Sequence, residues 1–234
     1  MSASPFTLLE LGGIRAVCVG KELDGRAFDA RDKSCLERLA KDLSLSAPPR
    51  QAEQIHADDI DLDGTLEACD AFLVRPGQSA LIRHADCFPV VVACSDPPLA
   101  IVAHCGWKGV ATELAAKSVR QLLSMGCRVQ NLSAAIGPGI QAASFEVGPE
   151  VLARFSPMFH STTSWGTASV DLPAALVAQL TDSGIAPERI ANASIDTFVD
   201  PKFHSHRRER ELSGRNVALC IVHSTSPQNQ ETQP

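Results

Sequence analysis

The sequence predicts an α/β fold in which helices are layered on a mixed sheet. Three observations carry this. Short apolar runs bounded by turn residues fill the middle of the chain, the apolar period then switches from strand to helix, and further strand and helix patterns alternate on either side. At 234 residues, 44% of them hydrophobic, the chain can bury one sizeable core, and no linker or internal repeat divides it. One domain over residues 1–223 is therefore expected. Residues 224–234 are polar, contain two prolines, and are expected to form a disordered tail.

Two apolar runs within residues 7–19 surround Gly12-Gly13 and read as strands joined by a turn. Leu36, Leu39, Ala40 and Leu43 recur at helical spacing, so Ser34 to Leu43 predicts an amphipathic helix, ended by Pro48-Pro49. Residues 57–65 are acidic and irregular. Ala71–Val74 and Ser79–Ile82 are strand pieces flanking Arg75-Pro-Gly-Gln78. Pro89–Cys94 and Leu99–His104 read as buried strands, with Ser95-Asp-Pro-Pro98 short enough for a hairpin return. After Gly106-Trp-Lys-Gly109 the period changes: Ala111, Leu114, Ala115, Ser118, Val119 and Leu122 form one helical face, closed by Gly126. Leu132–Ile136 is a strand leading into the Gly137-Pro-Gly139 loop. Glu150–Phe155 and Leu172–Leu180 are helices, the second capped by Asp171 with Pro173 in its first turn. Ile190–Phe198 and Val217–Val222 are the last strands expected.

The net charge of −6 argues against nucleic acid and anionic membranes as partners, because their phosphates would be repelled. The N-terminus lacks the basic and apolar regions of a signal peptide, and no apolar stretch reaches the length of a membrane span. The eight cysteines include no Cys-x-x-Cys pair and read as mostly reduced thiols, so a cytoplasmic protein is expected.

The chemistry concentrates where His84-Ala-Asp-Cys87-Phe-Pro89 is followed by Ala103-His104-Cys-Gly-Trp-Lys-Gly109. Cys87 and His104 fall at the ends of neighbouring strands, where sites in α/β sheets usually lie. His56, in Gln54-Ile-His56, offers a second imidazole. Two nitrogens and one sulfur suit a transition metal with an open coordination position. Cys87, His104 and Asp86 are the candidate catalytic residues; Asp86 either orients a ligand from behind or caps a turn. His84 and Cys105 are adjacent alternatives for ligation, but successive strand residues face opposite sides, so Cys105 and His104 should not share a site. Lys108, beside a helix N-terminus, and Arg207 and Arg208, in a basic run, are candidates for binding phosphate or another anion.

These motifs resemble the laccase-domain family, once called multicopper polyphenol oxidoreductases. The family's Gln-Val-His element stands here as Gln54-Ile-His56, its Thr-Ala-Asp-Cys-Leu-Pro as His84-Ala-Asp-Cys87-Phe-Pro89, and its Ala-His-Ala-Gly-Trp-Arg-Gly as Ala103–Gly109. Ala135-Ile-Gly-Pro-Gly-Ile140, Phe145-Glu-Val-Gly148 and Phe203-His-Ser-His-Arg-Arg208 follow in the family's order, so the resemblance covers roughly residues 50 to 222. Departures include His84 for Thr, Lys108 for Arg, and Glu10 in an N-terminal element where the family carries Arg.

The resemblance implies a single-domain, three-layer α/β/α sandwich with mixed β-sheets, and a metal, zinc or alternatively copper, on His56, Cys87 and His104. It implies purine nucleosides and phosphate as ligands: phosphorolysis of inosine, adenosine and methylthioadenosine, with deamination of adenosine at the same site. Other readings are a peptidoglycan-precursor editing hydrolase, a copper-dependent polyphenol oxidase, and a metal-binding module without catalysis. Seven scattered histidines suit multicopper catalysis poorly.

Overall fold

β1 (Phe6–Leu11) and β2 (Ile14–Val19) flank the Gly12-Gly13 turn as expected. The computed structural model of the protein describes residues 5–224. The expected disordered tail lies, from residue 225 on, outside the described residues.

A small hairpin of β3 (Glu22–Leu23) and β4 (Arg26–Ala27) precedes α1 (Lys33–Asp42), whose N-terminus is capped by the Asp32 side chain accepting from Ser34 N. This helix ends well before Pro48-Pro49. Ser44 takes a positive φ of 52° and turns the chain out, so the prolines follow the stop rather than cause it. Within the acidic stretch, β5 (Ile60–Asp61) pairs in parallel with β6 (Ala71–Val74). β7 (Gln78–His84), β8 (Phe88–Ser95) and β9 (Pro98–Cys105) come next, the last two forming the expected hairpin.

The helix expected after Gly109 is broken in two, α2 (Trp107–Ala111) and α3 (Leu114–Ser124). Thr112 Oγ1 bonds back to the carbonyls of Lys108 and Gly109, and Glu113 is left-handed at φ 61°. These local bonds compete with helix continuation. β10 (Leu132–Ile136) follows, and the helix expected over Glu150–Phe155 is the short α4 (Pro149–Leu152). After β11 (His160–Thr162) and β12 (Ala168–Val170), α5 (Leu172–Asp182) carries the expected Asp171 cap, 2.9 Å from Ala174 N. The expected strand over Ile190–Phe198 is only β13 (Ile190–Asn192), because its partner β10 ends at Ile136 and Ser194 turns away at φ 52°. α6 (His206–Glu209) and β14 (Asn216–Val222) follow within the described residues.

Helices lie outside and strands inside, and the β layer of this α/β sandwich is double. An antiparallel four-stranded sheet has the order β1-β2-β14-β7; a mixed six-stranded sheet has the order β13-β10-β8-β9-β6-β5. Strand alternation assigns each side chain its layer. On β9, Ile101 and Ala103 pack toward α3 and α5, while Ala100 and Val102 enter the core between the sheets with Ala80, Ile82, Ala218 and Cys220. A third cluster joins the outer face of the four-stranded sheet to α1 through Val17, Leu81, Leu219 and Leu39. No helix among the described residues is long and apolar enough to cross a membrane.

The segment Ala85-Asp86-Cys87 carries the chain from β7 in one sheet to β8 in the other, and the Gly137–Gly139 loop closes against it. A Cβ at Gly139 would lie 2.5 Å from the Phe88 ring, which is fully buried. Gly139→Ala is therefore expected to lower unfolding free energy by about 1–3 kcal/mol. Urea denaturation checks this, and an unchanged midpoint would show that the loop yields freely.

Candidate metal centre

By the same alternation His104, two residues beyond Val102, faces the gap between the sheets, whereas Cys105 lies in the core on the helix side. Cys87 immediately precedes β8, and the pairing of Phe88 with Cys105 and of Pro89 with His104 brings it beside His104. His56 arrives from the loop before β5, in a left-handed conformation at φ 56°. The ligand atoms of His56, Cys87 and His104 all lie within 4.8 Å of one another. The two imidazoles meet edge to face at 4.9 Å. Gly106 makes the approach possible: a Cβ there would stand 3.0 Å from Cys87 Sγ and 3.2 Å from His56 Cδ2.

Asp70 holds the trio in place. Its Oδ1 is 2.8 Å from His104 Nδ1, and its Oδ2 accepts from the backbone N–H groups of Ile55 and Ala57, which flank His56. Its backbone carbonyl also accepts from His104 N at 2.7 Å. One fully buried carboxylate thus fixes both histidines. With Nδ1 committed to Asp70, His104 presents Nε2 to the site, the usual support of a metal-binding imidazole.

Burial alone would raise the Cys87 thiol, but the neighbouring His104 charge and hydrogen bonds from His104 and His56 outweigh it, bringing it down to about 6. Burial would likewise lower His104, but the Cys87 charge and the Asp70 hydrogen bond raise it to about 9. Between those values the metal-free pair is a thiolate and an imidazolium. The donor set therefore fits a metal ion: a thiolate is already formed, and a cation would replace the shared proton. His84 is different. Burial, with the His104 charge second, lowers it to about 3; its Nε2 sits 3.4 Å from Cys18 Sγ, and it stands outside the trio.

The trio lies in the wall of a cavity of about 590 Å³, which Asp86 and Arg207 also line. Asp86 clamps the far wall rather than a metal ligand: its carboxylate accepts from Thr197 Oγ1 at 2.7 Å and Arg207 N at 2.6 Å, and its carbonyl from Ile140 N. Arg207 stacks over the Phe145 ring at 5.5 Å. Lys108 and Arg208, expected beside an anion, are placed elsewhere. Lys108 is exposed on α2, 5.8 Å from the Trp107 ring. Arg208 is committed to the carbonyls of Thr197, Phe198 and Phe203 and to Glu209. Neither lines the cavity.

Sequence reasoning missed Asp70, buried behind His104, and it missed Arg31, Arg83 and Arg215, which line the cavity. An acid directly before the apolar run Ala71–Val74 was the available signal for Asp70.

The family described as multi-copper polyphenol oxidoreductase laccase matches residues 29–223. A protein of Xylella fastidiosa named purine nucleoside phosphorylase is 32% identical, over 95% of this chain and 88% of its own. Adenosine deaminase RL5, from an unknown prokaryotic organism, is 31% identical, over 81% of this chain and 79% of its own. Among solved structures, the hypothetical protein YfiH of Bacillus licheniformis shares the fold with a TM-score of 0.81 at 23% identity, covering 94% of this chain and 97% of that one.

Two outcomes are expected. Asp70→Asn weakens the hold on His104 and should reduce metal affinity about 10–100-fold in a competitive chelator titration, with unchanged affinity counting against the positioning role. In metal-free protein, Cys87 is reactive as the thiolate, which is populated above its lowered value. Alkylation should be half-maximal near pH 6, and a midpoint at the ordinary thiol value of about 8.5 would contradict the pairing.

Proposed function

This chain belongs to the multi-copper polyphenol oxidoreductase laccase family, and we propose that it is a zinc-dependent purine nucleoside phosphorylase acting on inosine, adenosine and methylthioadenosine, with adenosine deaminase activity at the same site. The observation that carries this reading is the convergence of His56, Cys87 and His104 in the wall of a cavity that also carries guanidinium groups. The relatives named purine nucleoside phosphorylase and adenosine deaminase support it.

Two imidazoles and a thiolate suit zinc with an open position. The trio is the one such group of three or more among the described residues. That favours zinc chemistry over multicopper phenol oxidation, which requires several ligand clusters. Bound there, zinc supplies Lewis acidity to a substrate oxygen or nitrogen.

The protein's own residues do the rest. In phosphorolysis a phosphate oxygen forms a bond to ribose C1′ while the C1′–N9 bond breaks; the base leaves with the electron pair and takes a proton. Guanidinium groups hold the phosphate and offset its charge as it nears the sugar. Phe145, with Arg207 over its ring, gives the planar base an apolar surface. Asp86 holds Arg207 there through its backbone N–H.

The test is phosphate-dependent release of hypoxanthine from inosine by zinc-loaded protein. Cys87→Ala and His104→Ala should each lower kcat/KM by about a thousand-fold, the size of several kcal/mol of lost charge stabilisation. Full activity in both variants would overturn the assignment.

A further inference from the structure

Arg31, Arg83 and Arg215 line the cavity from three separate parts of the chain, and all are fastened to one short turn, Asp29-Ala30-Arg31. Arg31 pairs with Asp29 through two nitrogens, with Nη2 2.6 Å from Oδ2. Arg83 Nε donates to the Ala30 carbonyl at 2.9 Å, and its Nη2 donates to Gln51 Oε1. Arg215 N donates to Asp29 Oδ1 at 3.0 Å, and its carbonyl accepts from Ala30 N at 2.8 Å. The Arg215 guanidinium is braced by the carbonyls of Ser213 and Gly214.

The charges at this turn do not balance. Of the two carboxylates at the turn, Asp29 is already bound to Arg31, and Asp32 caps α1 by accepting from Ser34 N. Burial would raise Asp29, but the Arg31 and Arg215 hydrogen bonds and the Arg31 charge hold it down at about 2, so it stays ionised. The guanidinium groups of Arg83 and Arg215 donate only to neutral acceptors and form no ion pair among the described residues. Arg31 Nη1, Arg83 Nη1 and Arg215 Nη2 carry no hydrogen bond there either. Asp86, the carboxylate that lines the cavity, is engaged by Thr197 Oγ1 and Arg207 N, so the Arg83 and Arg215 guanidinium groups face the cavity without an ion-pair partner, in a chain whose net charge is −6. A half-buried guanidinium with only neutral partners is unfavourable unless an anion completes it. Guanidinium groups from three chain segments lining one cavity, each with a nitrogen free of internal bonds, suit a tetrahedral dianion better than a carboxylate, which one arginine would satisfy.

We infer that Arg31, Arg83 and Arg215 form a phosphate subsite, distinct from the Arg207 wall, that binds either inorganic phosphate or the phosphoryl group of a nucleotide. The inference rests on the proposed reading of this cavity as a substrate site, but its test does not require turnover. Binding to zinc-loaded protein is measured by calorimetry with three probes: inorganic phosphate, inosine 5′-monophosphate and inosine. Binding of phosphate itself marks a free co-substrate. Inosine 5′-monophosphate binding at least ten-fold tighter than inosine, without phosphate binding, marks a phosphorylated substrate. Either result supports the subsite if Arg83→Gln and Arg215→Gln weaken that binding at least ten-fold.

Arg83 also supports the turn. Arg31→Gln, on a half-exposed side chain, and the charge-preserving Arg83→Lys therefore serve as folded controls, the first losing affinity and the second retaining part of it. The subsite is overturned if neither phosphate-bearing probe binds better than inosine, or if the glutamine variants bind as the unaltered protein does. Cys87→Ala should keep phosphate binding. Anion binding without any release of hypoxanthine would thus reject phosphorolysis while leaving the subsite standing.

Discussion

The site depends on one buried carboxylate. Asp70 sits at the start of β6 with no exposure to water, and an unpaired charge there would be strongly destabilising. It is instead saturated: one oxygen binds His104, and the other draws in the chain on both sides of His56. That second contact adds to the two bonds of the Gln54 side chain with the Arg83 backbone on β7, and together they bring an exposed loop histidine to the strand ends. Satisfying the charge and assembling the ligand set are therefore the same structural event.

The second constraint is the crossing between sheets. β7 and β8 are consecutive yet belong to different sheets, so Ala85-Asp86-Cys87 must span the gap, with Asp86 at a positive φ of 87°. That strained link is held by bonds to Ile140, Thr197 and Arg207, which fasten the loops after β10 and β13 around the cavity mouth. Glycine at 106 and 139 lets the metal trio and the Phe88 ring approach closely. Rigid strands deliver Cys87 and His104; tied loops deliver everything that surrounds them.

Charge divides the cavity into two unlike walls. Around Cys87 and His104, thiolate and imidazolium stabilise each other, so the pair is prepared for a cation that takes the proton's place. At the Asp29 turn, guanidinium groups outnumber carboxylates and favour an anion. In a chain of net charge −6, Arg31, Arg83, Arg207 and Arg215 are gathered around one recess.

Much of this was legible in the residues themselves. Strand alternation placed His104 and Cys105 on opposite faces, and the apolar runs of β8 and β9 located the pair that carries Cys87 and His104. Ordered motifs supplied His56, which no spacing argument could join to them. Local rules failed where local bonds or missing partners intervened, as at the Thr112 break between α2 and α3 and the early end of β13. Lys108 and Arg208 had the right chemistry, but one faces solvent and the other is bound to loop carbonyls. By itself the sequence determined most of the strand and helix order and placed Cys87 and His104 at neighbouring strand ends, because both follow from short-range periodicity. Only the tertiary structure decided that Asp70 joins His56 to His104 and that Arg31, Arg83 and Arg215 share one turn. Those contacts connect segments far apart in the chain, where no local pattern records which groups will meet.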